Sequence, residues 1–141
     1  MSGRLPYVKR HKYPHMIGED REIWNRFIEK FPDRFDTVDY DFRVGKGMQT
    51  NPNWPEYMKV DAIALTQKRI DVLAWNDEQP TIIEVKKRVG LSTLGQILGY
   101  FQLFIDVYKN ITKPKVLVIC ETIGRDDFRV LEVNKVPVEI V

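Results

Sequence analysis

The chain has 141 residues, 43% of them hydrophobic, with a net charge of +2, enough for one domain with a core and too short for two. No apolar run reaches the length of a membrane span, and the basic N-terminus lacks the apolar segment of a signal peptide. A single cysteine, Cys120, excludes an internal disulfide framework and a Cys-based zinc site, so a reduced, cytoplasmic protein is expected.

Arg4, Lys9, Arg10 and Lys12 are the only formal charges before Glu19, leaving 18 basic and 20 acidic residues for the rest. Residues 1–16 carry Pro6 and Pro14 and no periodic pattern, so they read as an extended basic arm ahead of a domain over 17–141. Tyr7 and Tyr13, interleaved with the basic residues, fit either stacking on bases or a solvated tail. His11 and His15 are four apart, but Pro14 disfavours the helix that would pair them on a metal.

A first helix is predicted over Ile17–Phe31, with Ile23, Trp24, Phe27, Ile28 and Phe31 on one apolar face. Glu19 and Asp20 open it and Pro32 ends it. A strand follows over Arg34–Val44. Its alternation is imperfect, and Asp36, Asp39 and Asp41 are read as facing solvent. Gly45–Pro55 is a long loop without a phosphate-binding fingerprint. Tyr57–Leu65 leads into the next strand, and its V-D-A-I-A-L stretch, with Asp61, is itself strand-like.

The most informative stretch runs from Arg69 to Tyr100. R-I-D-V-L-A-W and T-I-I-E-V-K-K are rich in β-branched residues and are separated by the turn signals of Asn76–Pro80, which predicts an antiparallel hairpin. Alternation puts Asp71 on one face with Leu73 and Trp75, and Glu84 on one face with Ile82 and Lys86. Carboxylates inside apolar strands are costly unless paired or bound to a metal. If the register sets Asp71 opposite Glu84, two acidic donors converge. Hard cations such as Mg²⁺ take one or two carboxylates together with water and phosphate.

A helix over Leu91–Lys109 follows, capped by Ser92 or Thr93. Ile97, Phe101, Phe104 and Tyr108 form its main stripe, and Gln96 and Tyr100 lie together on the adjoining one. Lys115–Cys120 reads as a strand covered on both faces, joined to the hairpin by a parallel crossover. A short helix over Arg125–Asn134 and a last strand over Val136–Val141 complete the chain.

Asp71 followed by Glu84-Val85-Lys86 resembles the motif of the PD-(D/E)xK nuclease superfamily, and Gln96 with Tyr100 resembles the Q-x3-Y helix of its RecB-type branch. Ile70 stands where the superfamily's name places a proline. The resemblance implies an α/β fold: a single restriction-endonuclease-like domain, a central mixed sheet flanked by helices, with an α-β-β-β-α-β core. It implies a metal-dependent nuclease using Mg²⁺ or Mn²⁺ on nucleic acid, with DNA the expected partner. Asp71, Glu84 and the carbonyl of Val85 would hold the ion, and Glu19 best matches the glutamate that the family's first helix brings near it. Lys86 would orient or help deprotonate water, and Gln96 and Tyr100 would position substrate.

Two other readings use the same residues. One is a nuclease-fold module that binds nucleic acid without cutting it. The other is a Holliday-junction resolvase acting as a homodimer on branched DNA, whereas the Q-x3-Y helix implies action on single strands or ends.

Overall fold

The computed structural model describes residues 2–141. Six strands form one mixed sheet in the order β1-β2-β3-β4-β5-β6. They are β1 (Leu5–Pro6), β2 (Thr37–Val44), β3 (Lys68–Asn76), β4 (Gln79–Val89), β5 (Lys115–Ile123) and β6 (Val138–Ile140). The first four pair antiparallel, while β4–β5 and β5–β6 are parallel. The expected α/β architecture is present, with four helices: α1 (Gly18–Lys30), α2 (Glu56–Thr66), α3 (Leu91–Val107) and α4 (Arg125–Val133).

Period-2 alternation in β3 and β4 divides the core in two. Val72, Ala74, Ile83 and Val85 pack with Ile23, Trp24 and Phe27 of α1. Leu73, Trp75 and Ile82 pack on the other face with Ile97 and Phe104 of α3 and Leu131 of α4. Leu117 to Cys120 of β5 are buried as a continuous run, because helices cover both faces there. No helix among the described residues is long and apolar enough to cross a membrane.

Three expectations need correction. Residues 2–16 are not a free arm. Leu5 and Pro6 pair with Val38 and Thr37, and Tyr7, Tyr13 and Met16 are each 5% exposed. The Tyr7 hydroxyl donates to the Phe31 carbonyl at 2.7 Å, and the Tyr13 hydroxyl bonds Asn25. Both rings therefore belong to the α1 core and are not available to stack on bases. Gly3 allows the close approach, since a Cβ there would lie 2.6 Å from the backbone of Val38.

The second correction concerns 57–65, which is helix α2 and not strand-like. Ala, Met, Lys, Glu and Leu favour helix, and Pro55 precedes its first turn. None of its residues is buried, so no sheet contact competes with that preference. Asp61 consequently lies exposed on a helix, away from the strand pair. The third correction is Asp39, which does not face solvent. It is 4% exposed and bonds Arg4 Nε at 3.0 Å and the Trp75 indole N–H at 3.3 Å.

Candidate active site

The site lies where β3 and β4 part. Their ladder runs from Asn76↔Gln79 to Val72↔Ile83 and stops. One step further along both strands, Asp71 faces Glu84. There Asp71 replaces the ladder with its own side chain, Oδ2 accepting the N–H of Val85 at 3.0 Å. Beyond this point β3 stays with β2 down to Val44↔Lys68, and β4 stays with β5 out to Val89↔Ile123. A fork opens between them with the two acids at its vertex.

The two carboxyl groups act on each other's charge. Burial raises the Glu84 carboxyl to about 8, with the neighbouring Asp71 charge adding to the effect and Lys86 opposing it. Burial also raises Asp71, against the Val85 bond and Lys86. Like charges in a dry place hold a proton between them. Lys86 Nζ stands 3.5 Å from Glu84 Oε1. Glu84 Oε2 is buried with no hydrogen-bond partner, on a residue 2% exposed.

That orphaned oxygen tests whether the site suits a cation. An unpaired buried acceptor beside a second carboxylate is destabilising in the free protein and is relieved by a divalent ion. In a strand, a residue's N–H and C=O point to the same edge. Because the Val85 N–H points to Asp71, its carbonyl also lies on the fork side. The donor set therefore fits a hard cation: two carboxylates and one backbone oxygen. Among the described residues no group of three His, Cys, Asp or Glu side chains is clustered for a metal, so water or substrate would complete the shell.

Tyr100 of α3 senses the charges of Glu84 and Asp71. These add to burial in lifting its hydroxyl to about 12, with Gln96 acting in the opposite sense. Gln96 Oε1 is a second buried acceptor without a partner. Together with Lys68, these two residues line a cavity of about 400 Å³. Its α3 wall includes Gly95 and Gly99, where an added Cβ would meet nothing within 4 Å.

The first turn of α1 carries two acids, Glu19 and Asp20. Glu19 Oε1 is 2.7 Å from Lys87 Nζ and is exposed. Its neighbour Asp20 is half-buried. Burial raises the Asp20 carboxyl, Lys86 opposes that, and the Asp20 charge in turn acts on Asp71. Successive helical residues point about 100° apart, so only one of the pair can face inward.

A second group was not visible in the sequence. Asp41 Oδ2 lies 3.2 Å from His15 Nε2 and 3.3 Å from Arg69 Nη1, and the last two are 3.1 Å apart. Asp41 and His15 both have left-handed backbones, with φ of 51° and 53°. Such strain in non-glycine residues concentrates at functional sites. Arg69 is two residues from Asp71 on β3. No periodicity signals a positive φ in an aspartate or histidine, so no sequence pattern marks this group.

No family model matches the chain, and no curated protein matches it. Solved structures do. A repair endonuclease from Pyrococcus abyssi superposes with a TM-score of 0.51 at 12% identity, over 94% of this chain and 49% of that one. EndoMS, in a complex with double-stranded DNA, gives 0.52 at 13% identity, over 94% of this chain and 48% of that one. The fold is therefore that of these endonucleases. The chain spans about half the length of each, and at this identity the likeness is one of fold.

Proposed function

We propose that the chain is a metal-dependent nuclease of PD-(D/E)xK type that hydrolyses phosphodiester bonds in DNA. The observation that carries this reading is the meeting of Asp71 and Glu84 at a strand fork, with Lys86 beside them and one Glu84 oxygen left without a partner. The names of the two structures, a repair endonuclease and an enzyme bound to double-stranded DNA, support nuclease action and DNA as the substrate.

Asp71, Glu84 and the Val85 carbonyl would hold the ion. Mg²⁺ or Mn²⁺ bound there acidifies a coordinated water and offsets charge on the phosphate. The Val85 N–H fixes the Asp71 carboxylate, so its orientation does not depend on the ion. The Lys86 ammonium, held by Glu84, orients the attacking water and stabilises the negative charge that grows on the phosphate oxygens. Tyr100 keeps its proton at neutral pH and donates it in a hydrogen bond, and Gln96 holds that hydroxyl in place. Hydrolysis adds a water oxygen to phosphorus, breaks one P–O ester bond and leaves a proton on the departing oxygen.

The test is a digestion panel with Mg²⁺ or Mn²⁺ on linear and circular single strands, duplexes, a four-way junction and RNA, with EDTA and Glu84→Ala as controls. Cleavage of a DNA form that is lost in both controls supports the reading. Binding of DNA without cleavage under every metal condition overturns it in favour of a non-cutting module.

A further inference from the structure

A cavity of about 520 Å³ opens at the opposite end of the sheet, by the β3–β4 turn and the starts of β5 and β6. Four of its lining residues are cationic: Arg34, Lys113, Lys115 and Lys135. Among the described residues that line it, none is acidic. Phe35 and Phe101 supply aromatic wall. The volume falls in the range of small-ligand sites, where an apolar wall carries a few placed polar groups.

Two of the cations are held by aromatic rings. Lys113 Nζ sits 5.5 Å from the Phe101 ring centroid. The Arg34 guanidinium lies 5.9 Å from that of Phe35 and 5.3 Å from that of Phe31, and it pairs with Glu139, outside the lining, at 3.7 Å. Cation–π contact fixes a charged group without neutralising it.

Lys135 adds an independent observation. It follows Asn134, the C-cap of α4, with φ of 59°, and its N–H donates to the Glu132 carbonyl at 3.0 Å. Glycine or asparagine normally takes this left-handed position, because a β-carbon there is strained. A lysine has been placed on the cavity where the backbone would be better served by glycine.

We propose that this cavity is a nucleotide site, separate from the carboxylate fork. Phosphate groups would sit among the lysines and Arg34, and the base against the phenylalanine wall. Both a free nucleotide and a nucleotide within a strand offer this chemistry. The four cations focus potential onto one concavity, which selects phosphate over a neutral aromatic. The proposal does not rest on the nuclease reading.

The experiment is isothermal titration of the full chain in EDTA with ATP, AMP, adenosine, inorganic phosphate and a 5′-phosphorylated single-stranded oligonucleotide. Lys113→Glu/Lys135→Glu, Lys135→Gly and Glu84→Gln are compared with the parent. ATP or the oligonucleotide should bind, and adenosine should bind about tenfold more weakly or not at all. The lysine reversal should cost at least about tenfold, while Glu84→Gln should leave ATP affinity unchanged. Binding of ATP points to a free nucleotide, and binding of the oligonucleotide alone to a strand-borne one. Lys135→Gly should raise the unfolding midpoint while lowering affinity, an opposition that a purely structural lysine would not show. Failure of every phosphorylated probe to bind overturns the site. So does affinity indifferent to the lysines, or affinity reproduced in full by inorganic phosphate.

Discussion

Asp71 Oδ2 accepts the backbone N–H of Val85 at 3.0 Å, so a side chain of β3 closes the ladder that its backbone leaves open. This bond aims the carboxylate before any ion arrives. Asp71→Ala should therefore lose stability as well as activity. The buried N–H of Val85 would be left without a partner, at a cost of about 1–3 kcal/mol. Asp71→Asn keeps an acceptor and should fold near normally, yet lose about 10³-fold in cleavage, since a neutral amide holds a divalent ion poorly. Urea midpoints and single-turnover rates on the two variants separate these effects.

Stability without metal should fall as pH rises. The Glu84 carboxyl stands at about 8 in the folded chain against 4.5 for an ordinary glutamate. Between those values the folded state keeps a proton that the unfolded state has lost. The contribution is whole below the lower value and gone once pH passes the upper one. Asp71 is raised in the same sense. In EDTA the melting temperature should drop between about pH 5 and 8, and Glu84→Gln should flatten that drop and melt about 5 °C above the parent at the upper end. Added Mn²⁺ should restore the parent and leave the variant unmoved, because only a site present in the folded state gains from the ion. Thermal shift across a pH series reads all of this.

Tyr100→Phe should lower kcat about tenfold with little change in KM or folding, if the hydroxyl acts on the phosphate as it changes charge. Because the hydroxyl titrates only near 12, it should produce no descending limb in the rate between neutral pH and about 10. Gln96→Ala should show a smaller loss in the same parameter. Steady-state profiles of the parent and both variants check this.

Tyr7→Ala should be among the most damaging changes in the N-terminal segment. The ring is buried against Trp24 and Phe35, and its hydroxyl bonds the Phe31 carbonyl. Loss of a buried aromatic costs about 3–5 kcal/mol, and Tyr7→Phe about 1 kcal/mol for the hydrogen bond alone. Denaturant unfolding of both variants measures the difference. A tail disposed for nucleic acid would show no such hierarchy.

Much of the site can be read along the chain because strands and helices have fixed periods. Asp71 with Leu73 and Trp75, and Glu84 with Ile82, were placed on one face by alternation alone, and a two-strand hairpin leaves few registers that keep both faces apolar. Gln96 and Tyr100 share a stripe for the same reason, being four residues apart. Glu19 and Asp20, neighbouring acids at a helix start, are equivalent until the helix is docked.

The segments misread are those whose fate depends on distant partners. Tyr7 and Tyr13 follow no period, so nothing local shows that α1 and β2 bury them. α2 carries apolar residues that satisfy either a strand or a helix pattern, and only its lack of sheet neighbours lets propensity decide. Asp39, Asp41 and His15 depend on bonds to Trp75, Arg4 and Arg69 across the sheet.

Sequence alone determined which residues of β3, β4 and α3 share a face, because side-chain direction is a local property of the backbone. Tertiary structure decided that the β3–β4 ladder ends at the two acids, and that four distant cations converge on one cavity. Those outcomes depend on how strands part and helices dock, and such long-range contacts leave no periodic trace in the chain.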